Sequence, residues 1–199
     1  MKRSGLLLSG GMDSISLAYM KRPDIAFTLD YGQKPAKSEI YASKVVCEHL
    51  KIEHRIIHVN CSELGSGDLS DSDHLELAPS SEWWPYRNQL LITLTLMEAI
   101  KHGVGELFVG SVRTDGFHAD GRPEFFELIN DLSKYQEGGI KVSAPAIEFS
   151  TVELIQKAKI PMELLLWSHS CHTNNIPCHK CNGCKKYLST LQALGVEKK

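Results

Sequence analysis

The sequence predicts an α/β fold, in which helices flank a mostly parallel five-stranded sheet. Apolar runs of strand length alternate along the chain with longer stretches of helical period, which is typical of repeated strand–helix–strand units. The first run, residues 5–9, is short and continuously apolar, as expected of a strand buried on both faces of a parallel sheet. A glycine-rich turn joins that run to the first helix.

Each predicted strand is followed by a crossover to the next. The predicted strands are residues 5–9, 25–30, 54–60 and 106–110, with an extended segment at 141–146. The predicted helices are residues 14–21, 37–50, 87–102, 124–135, 152–167 with a break near Pro161, and 185–194. In the third helix, Leu90, Leu94 and Met97 share one face and predict its buried side. Residues 61–82 are rich in Ser, Asp and Gly without a clear period, which predicts a long surface loop.

Length and composition fit one compact domain over residues 1–199, with 42% hydrophobic and 23% charged residues. With 22 basic and 24 acidic side chains, the formal net charge is -2, which argues against nucleic acid as a partner and favours a small-molecule substrate. No stretch approaches the roughly 20 apolar residues that cross a bilayer, and the apolar run at the start is too short for a secretory signal. We therefore expect a cytoplasmic protein with no membrane partner.

Four cysteines near the carboxyl end predict a metal site: Cys171, Cys178, Cys181 and Cys184. In a reducing compartment such crowding favours metal binding over disulfides. Four thiolates can converge on one tetrahedral ion, so we predict a zinc knuckle over residues 167–185, followed by the closing helix. The spacing also resembles that of ferredoxin-type ligands, which leaves an iron–sulfur cluster as the alternative. Three nearby histidines are expected to stay outside the ligand set: His169, His172 and His179.

Two glycines and two hydroxyls lie between the first strand and the first helix. The run is Ser9, Gly10, Gly11, Met12, Asp13 and Ser14. Glycines let the backbone approach an oxyanion, successive N–H groups can point at it, and the helix N-terminus adds positive potential. The hydroxyls of Ser9 and Ser14 can donate further hydrogen bonds to phosphate oxygens. The alternative is a tight turn in which Asp13 or Ser14 only caps the helix.

The order strand, Ser-Gly-Gly-x-Asp-Ser, helix is more restrictive than an ordinary turn. It lacks the Gly-Lys-Ser/Thr ending of a Walker A loop and the Gly-x-Gly-x-x-Gly dinucleotide fingerprint. It matches the loop of the ATP-pyrophosphatases, or PP-loop enzymes, which this chain therefore resembles. The resemblance implies an adenine nucleotide alpha hydrolase-like fold. It also implies a loop that grips the pyrophosphate end of ATP, with cleavage between the α and β phosphates.

Three further segments narrow the resemblance to one family. Asp30, Tyr31, Gly32 and Gln33 follow the second strand, on the edge where open α/β sheets bind ligands. Pro85-Tyr86-Arg87-Asn88 and Arg122-Pro123-Glu124-Phe125 follow in order. Together these segments and the four terminal cysteines resemble the motifs of 7-cyano-7-deazaguanine synthases, whose cysteines bind zinc. The resemblance runs over nearly the whole chain.

The candidate site residues combine this resemblance with side-chain chemistry. Arg87 and Arg122 offer planar, paired donors that suit phosphate or carboxylate, although a surface ion pair is the commoner role of an arginine. Carboxylates can accept the adjacent N–H groups of a guanine-like ring, and the candidates are Asp115, Asp120 and Glu124, of which at least one is expected to be a solvated loop residue. The candidate catalytic residues are Ser9, Asp13, Ser14, Arg87, Asn88 and Arg122. The loop residues 9–14 and residues 30–33 are the candidate ATP contacts.

The resemblance also implies a reaction. The carboxylate of 7-carboxy-7-deazaguanine attacks the α-phosphate of ATP, pyrophosphate leaves, and ammonia displaces AMP to give an amide. A second ATP activates the amide for elimination to the nitrile. Catalysis then lies in positioning and in neutralising phosphate charge, with Mg²⁺ assisting. The sequence leaves a homodimer open.

Departures from the family pattern keep two alternatives open. Thr151 stands where the family usually has lysine in a Leu-Ser/Thr-Lys-x-Glu segment, and residues 115–122 are shorter than the family's tyrosine-containing stretch. One alternative is an enzyme that stops at the amide and transfers the deazaguanine to an amine of a partner protein, as in related antiphage components. The other is a nucleotide-binding regulator without turnover.

Overall fold

The computed structural model of the protein describes residues 2–196 and contains one five-stranded sheet, in which every pair of neighbouring strands is parallel. The strands are β1 (Arg3–Leu7), β2 (Ile25–Asp30), β3 (Glu53–His58), β4 (Val104–Val109) and β5 (Lys141–Ser143). Their order across the sheet is β3-β2-β1-β4-β5. In the sheet, β2 lies on one side of β1, and β4, which comes later in the chain, lies on the other side. The crevice between the carboxyl ends of β1 and β4 is therefore the topological switch point, where open α/β sheets bind their ligands.

Seven helices cover the sheet within the described residues: α1 (Met12–Lys21), α2 (Ala36–Leu50), α3 (Arg87–Ala99), α4 (Pro123–Tyr135), α5 (Thr151–Ala158), α6 (Met162–Leu165) and α7 (Asn182–Ala193). Alternate residues of β1 enter two separate cores. Leu6 packs with residues of α1, α2, α5 and α6, whereas Leu7 packs with residues of α3 and α4. This two-sided burial is the reason for the continuously apolar first strand. Between residues 2 and 196 the protein has no helix with the length and apolar character needed to cross a membrane.

The predicted elements are confirmed, with shifts at their ends. β1 begins at Arg3 because Arg3 pairs with Val104, which also starts β4 two residues earlier than predicted. α1 begins at Met12, directly after Gly11, whose extended backbone forms the N-cap. The segment predicted as extended at 141–146 is a strand only over Lys141–Ser143. The helix predicted over 152–167 divides into α5 and α6 around Pro161, as expected.

Two predictions about burial are wrong. Residues 61–82 are not simply a surface loop, because they contain two short 3-10 turns and bury Ser66, Leu69 and Ser70. Leu69 joins the core on the α3 side of the sheet. In α3 the buried positions are Ile92, Thr95 and Ala99, whereas Met97 is exposed. Leu90 and Leu94 are partly buried and pack against the core as predicted, so the helical period was correct and only Met97 was placed wrongly.

Candidate active site

A cleft opens at the switch point between the carboxyl ends of β1 and β4. Its lining includes residues 7–9 after β1 and residues 109–111 after β4. Gly110 lets the end of β4 approach the first turn of α1, because a Cβ atom at position 110 would lie 2.9 Å from the Cα of Ser14. The first turn of α1 consequently packs directly against the end of β4. The predicted glycine loop therefore forms the floor of the cleft.

Close contacts hold the loop on both sides, and at position 10 only a glycine allows them. Gly10 has φ +76°, and a Cβ atom there would lie 2.6 Å from the backbone oxygen of Glu39 on α2. The N–H of His169 donates to the Gly10 carbonyl at 2.9 Å and fixes the other side of the loop. The hydroxyls of Ser9 and Ser14 lie 3.1 Å apart. Both hydroxyls and the N-terminus of α1 thus lie on one short stretch of the cleft wall.

An acidic pair and a lysine meet beside this loop. The Lys186 ammonium, on α7, lies 2.9 Å from Asp13 Oδ2 and 3.4 Å from Asp115 Oδ1. Burial raises the pKa of Asp13, and attraction to Lys186 opposes that shift. Burial by itself would lower the pKa of Lys186, but attraction to Asp13 and Asp115 raises it overall. Asp13 Oδ1 is buried beside Thr151 and makes no hydrogen bond within 3.5 Å, so this carboxylate oxygen lacks a close partner.

Arg87 begins α3 and lines the cleft. Across residues 2–196, no carboxylate oxygen lies within 4.0 Å of its guanidinium. Next to it, Asn88 and Asp120 hold each other: the Asn88 backbone N–H donates to Asp120 Oδ2 at 3.1 Å, and Asn88 Nδ2 donates to the Asp120 carbonyl at 2.8 Å. Arg87 is therefore a half-buried cation free to bind an anion, whereas Asn88 and Asp120 brace the start of α3.

The segment after β2 contributes mainly by supporting other residues. Tyr31 is buried, lines the cleft and packs edge-on against Trp84 with ring centroids 4.9 Å apart. Gln33 accepts a hydrogen bond from the Tyr31 N–H at 2.8 Å and donates to Glu39 Oε2 at 2.8 Å. Asp30 accepts from the Gly32 N–H at 3.3 Å and lies away from the cleft lining.

Six of the residues predicted for the ATP and substrate sites do not line the cleft: Gly10, Asp30, Gly32, Gln33, Arg122 and Glu124. Arg122 and Glu124 are exposed at the start of α4, and neither lines the cleft. Arg122 Nε instead donates to the Gly116 carbonyl at 3.0 Å, which steadies the turn before α4. The predicted residues that do line the cleft are Ser9, Gly11, Met12, Asp13, Ser14, Tyr31, Arg87, Asn88, Asp115 and Asp120. The roles inferred for Arg122 and Glu124 from the resemblance stay predictions.

The sequence reasoning missed several titratable residues of the cleft, among them Lys186 and Glu39. Lys186 lies three residues after Gly183 and four before Thr190, both buried on α7, so helical spacing could have placed it on the buried face. The prediction began this helix at residue 185 and therefore lost that spacing. Glu39 follows a run of polar residues in α2, and nothing in the local sequence marks it as buried.

Glu39 gives the cleft a carboxyl group that changes its charge near neutral pH. Burial raises its pKa to about 7, against 4.5 for an unperturbed glutamate, and the hydrogen bond from Gln33 opposes the shift. The folded state therefore binds a proton more tightly than the unfolded chain, so the stabilisation from Glu39 is complete below about pH 4.5 and is lost as pH rises towards 7.

We expect Glu39→Gln to remove the loss of stability that ionisation of Glu39 causes as pH rises. The variant should gain about 1 to 3 kcal/mol in free energy of unfolding over the wild type at pH 8, and much less at pH 4.5. Urea denaturation across this pH range measures the difference. Glu127→Gln, on the exposed side of α4, is the matched control. A constant difference between Glu39→Gln and the wild type at all pH values would contradict the expectation.

The four predicted cysteines converge at the start of α7. Their sulfur atoms all lie within 4.8 Å of one another, with Cys178 and Cys184 at 3.9 Å and Cys171 and Cys181 at 4.0 Å. A tetrahedral zinc ion with bonds of about 2.3 Å separates its sulfur ligands by about 3.8 Å. Backbone N–H groups donate to the sulfurs of Cys178 and Cys181, which favours thiolates. The group fits a single metal ion better than a multi-iron core, which would hold the sulfurs further apart.

The cysteine cluster also explains where α7 begins. Cys181 is the N-cap, and its sulfur accepts a hydrogen bond from the Cys184 N–H. The helix therefore starts at Asn182, inside the knuckle, rather than at residue 185 as predicted. Ser170, His172 and Gly183 from this segment line the cleft, so the cluster forms one of its walls.

Comparison with known proteins decides the family. A family model described as queuosine biosynthesis protein QueC matches residues 4–195. The chain belongs to the QueC family. Two relatives with the name 7-cyano-7-deazaguanine synthase come from Methanosarcina barkeri, 30% identical with 96% of this chain and 94% of the relative covered, and from Pseudomonas fluorescens, 26% identical with 98% and 93% covered. The predicted family is thus confirmed, and the protein is an enzyme of the QueC kind.

A solved structure supports the fold of this QueC family member. The U34-tRNA thiolase NcsA from Methanococcus maripaludis, solved with its [4Fe-4S] cluster, matches with a TM-score of 0.53 and 18% identity. The match covers 96% of this chain and 64% of the thiolase. At this identity the likeness concerns the fold alone, and it supports the predicted α/β fold with a parallel five-stranded sheet.

Proposed function

We propose that this protein is a 7-cyano-7-deazaguanine synthase. It adenylates the carboxylate of 7-carboxy-7-deazaguanine with ATP and releases pyrophosphate. Ammonia then converts the acyl-adenylate to an amide, which a second ATP activates for conversion to the nitrile. The observation that carries the proposal is the Ser-Gly-Gly-Met-Asp-Ser loop at the switch point of the sheet, facing a cleft with an unpaired Arg87. The activity named for the relatives supports the choice of substrate.

The glycine loop binds the pyrophosphate end of ATP. Gly10 and Gly11 bring the backbone close to the phosphates, and the hydroxyls of Ser9 and Ser14 and the N-terminus of α1 supply donors and positive potential. This arrangement stabilises the charge that moves onto the leaving pyrophosphate. Asp13 and Asp115 provide the oxygen ligands that Mg²⁺ prefers, and the buried, unpartnered Asp13 Oδ1 fits that role. When bound there, the ion neutralises phosphate charge.

Arg87 binds the carboxylate of the deazaguanine acid. Its guanidinium has no acidic partner among the described residues, and it lines the same cleft as the loop. Paired donors of an arginine hold a carboxylate in a fixed orientation, which is what attack on the α-phosphate requires. Asn88 and Asp120 fix the first turn of α3 and thereby the position of Arg87.

The four cysteines hold a structural zinc ion. All four coordination positions of a tetrahedral ion are filled by Cys171, Cys178, Cys181 and Cys184, which leaves none for substrate. The ion stabilises the segment that forms one wall of the cleft.

Purified protein incubated with ATP, Mg²⁺, ammonia and 7-carboxy-7-deazaguanine tests the proposal. We expect release of pyrophosphate that depends on the acid, and the nitrile as the final product in the mass spectrum. A product that stays at the amide, or that appears as a mass added to a protein amine, would point to the acyl-transfer alternative. ATP binding without any release of pyrophosphate would point to a regulator.

The zinc assignment predicts a loss of stability when one ligand is removed. Cys181→Ser should lose the metal and lower the Tm by about 5 to 15 °C, because a structural ion binds mainly to the folded state. His179→Asn is the control: His179 is exposed and has φ +60°, a conformation that asparagine tolerates. Metal content by atomic emission and melting curves measure both variants. A full metal complement in Cys181→Ser would contradict the assignment.

A further inference from the structure

Lys186 is the one lysine that lines the cleft within the described part of the chain. It reaches from α7 to two other elements, Asp13 in the first turn of α1 and Asp115 in the turn after β4. Its ammonium therefore lies in the crevice between β1 and β4, next to the loop that faces any bound nucleotide. Two of its three N–H donors are engaged by the carboxylates, and the third is free.

The exposure of Lys186 fits a side chain that binds a ligand better than one that only forms a buried structural ion pair. The side chain is 40% exposed, whereas that of Asp13 is 17% exposed. The same exposure lets the ammonium turn from the carboxylates towards an anion that enters the cleft.

Thr151, the first residue of α5, lines the same cleft and lies beside Asp13. Its side chain is buried, and its hydroxyl faces the carboxylate of Asp13 without a hydrogen bond within 3.5 Å. No basic side chain of α5 lines the cleft. The part of the cleft formed by α5 therefore offers a small polar group and no positive charge.

We propose that Lys186 is a catalytic residue that binds the pyrophosphate end of ATP, and that it supplies from α7 the positive charge that α5 lacks. This inference rests on the proposed function, because it requires the glycine loop to bind ATP. The adjacent Cys184 belongs to the metal cluster, so the cluster fixes the start of the helix that carries Lys186. The cysteine knuckle thereby positions a side chain that contacts substrate.

Calorimetry with zinc-loaded protein tests the inference. The probes are a nonhydrolysable α,β-methylene analogue of ATP with Mg²⁺, and inorganic pyrophosphate with Mg²⁺. We expect Lys186→Met to raise the Kd for both probes about tenfold to a hundredfold, which is the loss of one or two charge-assisted hydrogen bonds. Lys186→Arg should retain most of the affinity. Lys185→Met is the matched control, because Lys185 is exposed and does not line the cleft.

A second variant tests whether a positive charge on α5 can replace the charge of Lys186. Thr151→Lys added to Lys186→Met should recover at least half of the lost binding free energy, since position 151 lines the same cleft. Metal content and Tm establish that each variant is folded, and Lys186→Gln replaces Lys186→Met if the latter does not fold. A folded double variant that binds no better than Lys186→Met would overturn the inference that Lys186 supplies the positive charge that α5 lacks.

The results separate this inference from the proposed function. If the wild type binds neither probe, the proposed function fails. If the wild type binds both probes and Lys186→Met binds them as tightly as Lys185→Met does, the role of Lys186 fails and the proposed function stands.

Discussion

Asp13→Asn is expected to lower acid-dependent pyrophosphate release by about a hundredfold to a thousandfold, the usual loss when one group that stabilises transition-state charge is removed. Asp13 is the acidic residue of the glycine loop, and its Oδ1 is the buried atom left without a partner. Asparagine keeps the shape of the side chain but offers one neutral oxygen in place of a carboxylate. The variant loses the carboxylate charge that pairs with Lys186 and that we propose as a ligand of Mg²⁺, while the loop backbone stays in place.

The stability of Asp13→Asn separates chemistry from folding. Because burial raises the pKa of Asp13, ionising it in the folded state costs stability as pH rises through that raised pKa. Asparagine carries no such cost, so the variant should melt at or above the Tm of the wild type at pH 8. Kinetics of pyrophosphate release and melting curves at that pH test both parts. Turnover close to that of the wild type would remove Asp13 from the mechanism.

The sheet could be predicted from the sequence because its strands are marked locally. β1 and β2 are buried on both faces, so their apolar runs are continuous and easily recognised. The interior of 61–82 could not be predicted in this way. Leu69 is a single apolar residue among polar neighbours, and it is buried in a core to which distant parts of the chain contribute, including β2 and α3.

In the candidate site, too, some residues are marked by their local sequence and others are not. The glycine loop was predictable because strand, loop and helix are contiguous and each residue type has a local reason. Lys186 and Glu39 were not, because their roles arise from helices that the fold brings to the cleft from distant parts of the sequence. Lys186 meets Asp13 across 173 positions of the chain. Arg122 shows the converse: a motif placed it at the site, and the fold leaves it at the surface.

Arg87→Met is expected to raise the KM for 7-carboxy-7-deazaguanine about a hundredfold, while the Kd for the ATP analogue changes less than about twofold. We expect this split because Arg87 begins α3 and has no ion pair within the described chain, whereas the glycine loop, which we propose binds the phosphates, lies at the start of α1. Arg55→Met is the matched control, since Arg55 lies on the exposed edge strand β3 and pairs with Glu53. Steady-state kinetics with each substrate varied, together with calorimetry, measure both effects. An equal loss of affinity for the ATP analogue would assign Arg87 to phosphate instead, and the carboxylate of the acid would then need another partner.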